Sequence, residues 1–579
     1  MYILGLSFGY HDSAAVIIHN GNVLAASAEE RFSRLKHDND FPIKSIQFCL
    51  EYANIDISQI DSVVYYETPI NKFDRIVRSS FSNYPIGLSY VFDTFTDWIE
   101  NKKFFIKKLI SDKLSISQNK IFYGEHHLSH AASAYYSSTF NEATVVVIDG
   151  VGEQECVSVF LGKENKLTKL YDVKFPHSIG LFYSAITAYL GFEVNEGEYK
   201  VMGMSGFGEP LYYEQMRKMF FLFDDGTFKL DQQYFEFLTP IDKPFTNKLI
   251  ELFGPARNPL DNFDVKDATC INYANIAASA QKCTEEVIMH VVLSAIKKTA
   301  INNVCLSGGV SLNSLANGKL IFEHNINMFI QPAADDGGCA LGCALEYYYN
   351  KMNNKRQNNI IFSPFLGKKY YEEEIIKSIK SSGLRFELIE NEDILLEYVA
   401  NVLSNNGVVG WYQGRSEWGP RALGHRSILA NPKDKNMQEI VNQKVKFREP
   451  FRPFAPMITA EDANEYFDMP KSYKENSPES YMLAVHYVKL DKRDIIPAVT
   501  HVDKTARVQT VYESTNPRIY RLLKKIQSKS GVPVLMNTSF NLKDEPVVET
   551  PKDALKTFFY AGMDLLVMEN FIIKKEFIL

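Results

Sequence analysis

The chain has 579 residues, of which 45% are hydrophobic and 23% are charged, a balance that is ordinary for a globular protein of several domains. Its formal net charge of −7 argues against general nucleic-acid binding, which requires a basic surface that neutralises phosphates. No apolar run approaches the roughly 18 residues of a membrane span. The first residues, MYILGLSFGYHDS, carry no basic leader.

The cysteine pattern indicates a reducing compartment. The seven cysteines form no CxxC pair, and most lie in apolar surroundings, which is typical of buried free thiols. We therefore expect a cytoplasmic protein that has neither nucleic acid nor a membrane as a partner.

The first part of the chain contains one pattern twice. A strand-like run at residues 2–7 leads to a polar loop with His11, and Asn20-Gly21 between two apolar runs predicts a β-hairpin. Strand, polar loop and hairpin recur in the same order from about residue 143. Two such halves that face each other are typical of actin-like nucleotide-binding folds, and they would place both polar loops in one cleft.

A histidine pair predicts a metal site. In EHHLSHAASAYYSS, His126 and His130 stand four positions apart. On a helix these side chains share one face, with Cβ atoms about 5–6 Å apart, which suits two ligands of one ion. A strand-like run that ends at Asp149 adds a carboxylate, and mixed ligation of this kind suits iron, zinc or manganese. The alternative is a helix with ordinary surface or core histidines.

Two later strand-to-helix junctions carry glycines. The pair Gly308-Gly309 would expose backbone N–H groups and a helix dipole to an anion or a nucleotide. The second junction, AADDGG, offers Asp335 or Asp336 as a fourth metal ligand, and the spacing does not choose between them. Residues 42–120 are predicted to be largely helical, and residues 268–300 to form one long helix.

The last part of the chain predicts a second α/β unit with an anion pocket. The polar segment 351–360 marks the boundary, so that the domains are residues 1–355 and 356–579. Arginines and lysines in residues 411–456 are separated by Gly, Pro and aromatic residues, which does not make an amphipathic helix. Guanidinium groups bind phosphate bidentately, so the pattern predicts a phosphate pocket. A solvated basic face is the alternative.

Ten motifs in fixed order resemble one family along nearly the whole chain. They are LGLSFGYHDSAA, EERFSRLKHDNDFP, EHHLSHAASAYYSS, VVVIDG, EGEYKVMGM, LSGGVSLN, DDGGCALGCAL, GRSEWGPRALGHRSILA, KFREPFRPFAP and NTSFN. Together they resemble the O-carbamoyltransferases of the NodU/CmcH/TobZ type. The resemblance implies an α/β protein with an N-terminal actin-like (ASKHA, Kae1-like) duplicated domain, residues 1–355, and a C-terminal YrdC-like α/β domain, residues 356–579.

The resemblance also implies an activity in two steps. The YrdC-like domain would convert carbamoyl phosphate and ATP to carbamoyl adenylate. The Kae1-like domain would then transfer the carbamoyl group to a hydroxyl of a small-molecule acceptor, as in the biosynthesis of an antibiotic, a toxin or a nodulation sugar.

Residue roles follow from the same resemblance. It implies His11 as general base and a divalent metal ion, Fe²⁺ first with Mg²⁺, Mn²⁺ or Zn²⁺ as alternatives, held by His126, His130, Asp149 and Asp336. Residues implied to contact the nucleotide or the carbamoyl adenylate are Lys36, Gly150, Gly308, Gly309 and Asn313. Residues implied to bind carbamoyl phosphate and ATP are Arg421, Lys446, Arg448, Arg452, Arg507, Asn537 and Ser539.

Three other functions stay open at this point. One is a tRNA modification enzyme of the threonylcarbamoyl-adenylate type, which uses the same two folds. The second is an actin-fold small-molecule kinase, in which the basic second domain would have no purpose. The third is a nucleotide-gated binding or scaffold protein with a degenerate site. The acidic balance favours the small-molecule carbamoyltransferase; the acceptor and assembly into a homo-oligomer are left open.

Overall fold

The computed structural model describes residues 1–577 except 83–86, 101, 238–242, 262, 265–266, 358–360 and 450. The chain forms two compact units. Unit 1 comprises Met1–Leu24, Asn39–Ala316 and Ile326–Ile360, and unit 2 comprises Ala25–Asp38, Asn317–Asn325 and Ile361–Leu579. Two short segments that precede the predicted boundary at residue 355 thus belong to unit 2. The predicted linker ends in residues 358–360, which lie outside the described residues.

Unit 1 contains two five-stranded sheets and a two-stranded ribbon. The strands in chain order are β1 (Tyr2–Ser7), β2 (Ala14–His19), β3 (Asn22–Ala28), β4 (Ser62–Tyr65), β5 (Ile121–Tyr123), β6 (Glu142–Ile148), β7 (Glu155–Lys163), β8 (Lys166–Lys174), β9 (Phe220–Leu222), β10 (Phe228–Leu230), β11 (Asn303–Ser307) and β12 (Asn327–Ile330). The chain passes into unit 2 within β3, at residue 25.

The two sheets share one topology. Their strand orders are β3-β2-β1-β4-β5 and β8-β7-β6-β11-β12. In each, the central first strand pairs antiparallel with the next strand of its hairpin and parallel with the fourth. The duplication that the sequence predicts is therefore confirmed. The turn between β2 and β3 is Asn20-Gly21, with φ of 50° and 81°, as a two-residue hairpin of this type requires.

Most helices of this part of the chain belong to unit 1, whereas the helical residues within 25–38 and 317–325 belong to unit 2. The helices up to residue 346 are α1 (Glu30–Ser33), α2 (Ile43–Ala53), α3 (Pro69–Ser82), α4 (Gly87–Glu100), α5 (Ile106–Leu114), α6 (His126–Tyr135), α7 (Ile179–Tyr189), α8 (Glu198–Ser205), α9 (Tyr213–Arg217), α10 (Asn247–Phe253), α11 (Ala268–Thr299), α12 (Ser314–His324) and α13 (Cys339–Glu346). Helix α6 packs against α13 and β11, and its fully buried Ala131, Ala132 and Ala134 permit this close approach.

One of the helical predictions is incomplete, and the other is confirmed. Residues 42–120 contain helices α2–α5 as predicted, but they also contain β4, a neighbour of β1 in the first sheet. The four residues of β4 are too few to show a strand period in the sequence. The long helix predicted at 268–300 is confirmed as α11.

Unit 2 is built on an eight-stranded mixed sheet. Its strands, together with the separate ribbon β17-β18, are β13 (Leu384–Leu388), β14 (Val409–Tyr412), β15 (Arg426–Ala430), β16 (Ala455–Thr459), β17 (Val485–Tyr487), β18 (Thr505–Arg507), β19 (Gln509–Val511), β20 (Val534–Ser539), β21 (Leu565–Met568) and β22 (Phe571–Phe577). The sheet order is β13-β22-β21-β14-β15-β20-β16-β19.

Helices cover both faces of this sheet. They are α14 (Glu372–Ser382), α15 (Glu392–Ser404), α16 (Met437–Ile440), α17 (Ala460–Tyr466), α18 (Pro517–Ser530) and α19 (Pro551–Tyr560). Successive strand residues alternate between two apolar cores: Trp411 packs with α15 and α18, whereas Tyr412 packs with α14 and α19. This alternation follows from the period of two along a strand.

All seven cysteines are free thiols, and six of them are buried, as the sequence predicts. In the described part of the chain, no helix combines the length and the apolar character needed to cross a lipid bilayer.

Candidate functional site

Four side chains of unit 1 converge where strands end and helices begin. His126 and His130 lie one turn apart on α6, Asp149 follows β6, and Asp336 lies in the short turn before α13. One nitrogen or oxygen atom from each lies within 4.8 Å of the others. We call these four residues the metal cluster.

The distances within the metal cluster fit a divalent ion. Nε2 of His126 lies 3.5 Å from Asp149 Oδ2 and 3.4 Å from Asp336 Oδ1, and Nε2 of His130 lies 3.4 Å from the same oxygen. Ligand atoms of one ion, each about 2.0–2.2 Å from it, are separated by similar distances. Within the described part of the chain neither buried Nε2 atom has a hydrogen-bond partner. Orphaned imidazole nitrogens that face carboxylates are the donor set of a metal site.

Electrostatics in the metal cluster are strongly coupled. Burial alone would lower the pKa of His126, but the carboxylates of Asp336, Asp149 and Glu67 hold it well above its usual range. Burial alone would raise the pKa of Asp336, but His11, His126 and His130 hold it well below. Since a ligating imidazole must be neutral, a metal ion would replace these protons.

Glu67, which sequence analysis did not single out, supports His126 from behind. Its Oε2 lies 3.3 Å from Nδ1 of His126, and Lys72 Nζ donates to both of its oxygens at 3.2 Å. Such a carboxylate fixes the ring orientation and the tautomer of a ligating histidine. Glu67 follows the strand-like run SVVYY, just as Asp149 follows the run VVVI. A carboxylate directly after a strand is therefore the sequence signal that could have identified Glu67.

The predicted glycine pair supports Asp149. Gly309 N–H donates to Asp149 Oδ1 at 3.0 Å, so that this amide is occupied by a residue of the metal cluster. Gly308 has φ of 91°, and an added Cβ would lie 2.3 Å from the carbonyl oxygen of Ile148. Only glycine fits where the loop after β11 passes this close to the end of the parallel strand β6.

His11 lies at the edge of the metal cluster, in the loop after β1. Its Nδ1 lies 2.8 Å from Asp12 Oδ2, and its Nε2 lies 3.8 Å from Asp336 Oδ2. Burial works to lower the pKa of His11, but Asp336, Asp12 and Asp149 raise it to about 9. With Nδ1 held by Asp12, Nε2 is the atom that can exchange a proton with a substrate at this site.

The other residues implied to contact a nucleotide are placed differently. The carbonyl oxygen of Gly150 accepts from Ser178 Oγ at 2.6 Å, and the amide of Asn313 exchanges two hydrogen bonds with Gln281. Lys36 belongs to unit 2 rather than to unit 1. The structure therefore brings Gly308 and Gly309 to the metal cluster, whereas Lys36 is a residue of unit 2.

A second site lies in unit 2, where six cationic side chains converge. These residues, which we call the basic cluster, are Lys36, Arg421, Lys446, Arg448, Arg452 and Arg507. Burial lowers the pKa of Arg507 well below its usual range, and the neighbouring guanidinium groups lower it further. Burial likewise lowers the pKa of Lys446, with Arg448, Arg452 and Lys36 adding to the effect. Like charges that repel one another in this way would be stabilised by a polyanion.

Donors and acceptors in the basic cluster divide into two groups. Lys446 Nζ donates to the carbonyl oxygens of Ser539 and Asn541, both at 2.9 Å, so it holds the loop after β20 in place. Arg507 Nε and Asn537 Oδ1, in contrast, have no hydrogen-bond partner in the described residues. Among the predicted phosphate residues, Arg507 therefore keeps an unpaired donor within the described part of the chain, and Lys446 and Ser539 shape the site. The amide nitrogen of Asn537 donates to Ala422 O and Gln509 Oε1, and its unpaired Oδ1 is an acceptor, which does not bind phosphate oxygens.

Not every arginine of the predicted pocket segment belongs to the basic cluster. Arg426 is fully buried, donates to the carbonyl oxygens of Gln413 and Gly414, and stacks 3.7 Å from the ring centre of Tyr412. It braces the sheet of unit 2, a role that the basic pattern of the sequence does not distinguish from phosphate binding.

Comparison with known proteins identifies relatives along the whole chain. A family model described as Carbamoyltransferase N-terminus matches residues 2–345, and one described as Carbamoyltransferase C-terminus matches residues 400–575. An uncharacterized Synechocystis protein, sll1178, is 40% identical over 99% of this chain and 97% of its own length.

Two named relatives add detail. The nodulation protein NolNO of Sinorhizobium fredii is 35% identical over 98% of this chain and 79% of its own length. The 3'-hydroxymethylcephem-O-carbamoyltransferase of Amycolatopsis lactamdurans is 33% identical over 43% of this chain and 44% of its own length. The resemblance drawn from the motifs is confirmed: the chain is an enzyme that belongs to the carbamoyltransferase family.

Proposed function

We propose that the protein is an ATP-dependent O-carbamoyltransferase that acts on a hydroxyl of a small molecule. The observation that carries the proposal is the chemical contrast between two sites: a basic cluster in unit 2, and in unit 1 a metal cluster with an Asp-held histidine at its edge. Polyphosphate chemistry needs the first arrangement, and proton removal from an alcohol needs the second. Relatives with O-carbamoyltransferase and nodulation names support a sugar or natural-product acceptor.

In the first half-reaction, carbamoyl phosphate, ATP and water would give carbamoyl adenylate, phosphate and pyrophosphate. Arg507, Arg421 and Arg448 would bind the phosphate groups, because guanidinium groups that lie this close together favour a polyanion between them. Lys446 would hold the Ser539–Asn541 loop in its bound shape. We assign this step to unit 2, and we propose a YrdC-like architecture for its domain.

In the second half-reaction, the acceptor oxygen would bond to the carbamoyl carbon as the bond from that carbon to the oxygen of AMP breaks. His11 Nε2 would accept the hydroxyl proton, and Asp12 would stabilise the resulting imidazolium. A divalent ion held by His126, His130, Asp149 and Asp336 would act as Lewis acid and template for the phosphate-linked carbamoyl group. Its mixed nitrogen and oxygen donors fit Fe²⁺, Mn²⁺ or Zn²⁺.

The proposal is tested by assaying the half-reactions separately on folded full-length protein. Pyrophosphate release with carbamoyl phosphate and ATP reports the first step, and carbamoylation from supplied carbamoyl adenylate reports the second. His11→Asn should retain the first and lose the second by about 10²- to 10⁴-fold, the usual contribution of a positioned base. Arg507→Met should show the reverse pattern. Pyrophosphate release that does not depend on carbamoyl phosphate would overturn the proposal.

A further inference from the structure

A buried thiol lies beside the metal cluster. Cys339 is the first residue of α13, three positions after Asp336, and its side chain is fully buried. Its Sγ lies 4.0 Å from the carbonyl oxygen of His126. The turn Asp336–Gly338 runs directly into α13, and residues three apart in such a turn point to the same side. One turn of chain therefore offers a carboxylate and a thiol toward the same two histidines.

Cys339 completes a second ligand set. Its Sγ and one nitrogen each of His126 and His130 all lie within 4.8 Å of one another. Ligand atoms of a tetrahedral zinc ion are roughly 3.5 Å apart, given bonds of about 2.0–2.3 Å, so small side-chain shifts would close the triangle. Both Nε2 atoms lack hydrogen-bond partners in the described part of the chain, so neither has to give up a bond to join this set.

We propose that Cys339, His126 and His130 form a second metal position, which takes thiophilic ions such as Zn²⁺ or Cd²⁺ and competes with the ion held through Asp149 and Asp336. Soft thiolate ligands select such ions, whereas carboxylates favour harder ones. As the metal–sulfur bond forms, the thiol proton is released to the buffer. The two positions share both histidines, so they exclude each other, and the softness of the ion decides which is filled.

The matched control is one helical turn away. Cys343 is also a fully buried free thiol of α13, but its Sγ contacts the carbonyl oxygens of Val64 and Ala340, each at 3.3 Å. It belongs to neither ligand set. Cys343→Ser therefore removes a buried thiol from the same helix without touching the proposed position.

The experiment titrates metal-free full-length protein with Cd²⁺ and records the ultraviolet charge-transfer band of a cadmium–thiolate bond. Wild type and Cys343→Ser should show the band with equal intensity, and Cys339→Ser should lose it. Cadmium affinity of Cys339→Ser should fall by more than about tenfold, since even residues behind a ligand contribute 10- to 100-fold. Cys339→Ala, checked for folding by circular dichroism, guards against a defect specific to serine.

Two results would overturn the inference: a band that persists in Cys339→Ser, or cadmium binding to wild type without a band. Binding of Mn²⁺, which disfavours thiolate, is measured in parallel and should be unchanged in Cys339→Ser. If wild type binds no Mn²⁺ but shows a normal cadmium band, the proposed carboxylate-held centre is contradicted, whereas the proposed thiolate position is supported. The two ideas therefore fail in distinguishable ways. If both hold, Zn²⁺ should inhibit carbamoyl transfer less in Cys339→Ser than in Cys343→Ser.

Discussion

The backbone N–H of Gly309 donates a 3.0 Å hydrogen bond to Oδ1 of Asp149, which leaves Oδ2 of that carboxylate facing His126. The bond joins the loop after β11 to the end of β6, two parallel neighbours in the second sheet. A strand-end amide thus orients a candidate metal ligand on the adjacent strand, as residues behind a ligand do in metal sites generally.

Substituting Gly309 should lower the affinity for a metal ion. An added Cβ would lie 3.3 Å from Asp149 Oδ1, so Gly309→Ala must displace the carboxylate by a few tenths of an ångström. We expect Mn²⁺ affinity, measured by isothermal titration calorimetry, to fall about tenfold. Gly206→Ala is the control, because its Cβ would meet nothing closer than 3.7 Å. Equal affinities in the two variants would contradict the role of this hydrogen bond.

The carboxylate of Glu67 should be needed for tight metal binding. Glu67→Gln keeps the shape of the side chain but removes the charge that orients His126 Nδ1 and pairs with Lys72. Mn²⁺ affinity should fall by about 10- to 100-fold. Glu155→Gln serves as control, because Glu155 pairs with Lys169 on β7 and β8. If Glu67→Gln binds Mn²⁺ as tightly as wild type, the charge of Glu67 does not contribute to metal binding.

The pKa of His11 should fall when a metal ion binds. Burial lowers this pKa, but Asp336, Asp12 and Asp149 raise it to about 9, so at pH 7 the imidazole is mostly protonated. A bound cation would offset the charges of Asp336 and Asp149 and would thereby increase the neutral fraction that can act as a base.

The measurement is a carbon-13 NMR titration, with and without Zn²⁺, of histidine-labelled Cys339→Ser protein, in which zinc has only the carboxylate-held position. His11→Asn in the same background assigns the resonance. Its result also fixes the pH dependence of transfer: the rate should rise with pH until the pKa of His11 is passed. An apparent pKa that stays the same after zinc addition would show that His11 does not sense the metal cluster.

Removing the charge of Arg507 should weaken anion binding without lowering the stability of the ligand-free protein. Its charge is buried and faces Arg421, Arg448 and Arg452, so Arg507→Met relieves repulsion, and unfolding without ligand should be no easier than in wild type. Pyrophosphate at 100 times its Kd should stabilise wild type by about 2.7 kcal/mol and the variant far less. Thermal unfolding measures both effects, with Arg385→Met, an exposed residue paired with Glu576, as control. Equal pyrophosphate stabilisation of both variants would remove Arg507 from the site.

A buried pair in unit 2 should make stability depend on pH. His486 Nε2 lies 2.8 Å from Glu479 Oε1, and Ser477 Oγ donates to the other oxygen. Burial raises the pKa of Glu479, but His486 and Ser477 outweigh it, so the folded-state pKa is lowered. The stabilisation is therefore fully present above the unfolded pKa of about 4.3 and is lost as pH falls through the lower folded value.

Glu479→Gln should cost on the order of 3 kcal/mol at neutral pH, the usual penalty for breaking a buried pair. The loss should shrink in acid, where wild type loses the same interaction. Urea unfolding at neutral and acidic pH tests this, with the exposed Glu576→Gln as control. A pH-independent difference between Glu479→Gln and wild type would mean that the carboxylate charge is not the stabilising feature.

Features that lie within a single helix or hairpin could be predicted from the sequence. The spacing of His126 and His130 predicts their shared helical face, and Asn20-Gly21 predicts its hairpin, because both signals lie within one element. The repeated order of strand, loop and hairpin also predicts the duplicated topology. The four residues of the metal cluster were predicted from the family motifs, which also favoured Asp336 over Asp335. In the structure, the side chain of Asp335 instead accepts a hydrogen bond from Gly337 N–H and caps the following turn.

Contacts between residues that are distant in sequence could not be predicted in this way, because they depend on how the strands and helices pack. Glu67 reaches His126 because β4 pairs in parallel with β5, the strand that precedes α6. Lys36 lies near Lys446 because residues 25–38 fold with unit 2. The position of Cys339 next to both histidines likewise depends on the packing of α13 against α6. Periodicity fixes the direction of a side chain within its own helix or strand, whereas contacts between elements depend on how sheets and helices pack, which no local spacing encodes.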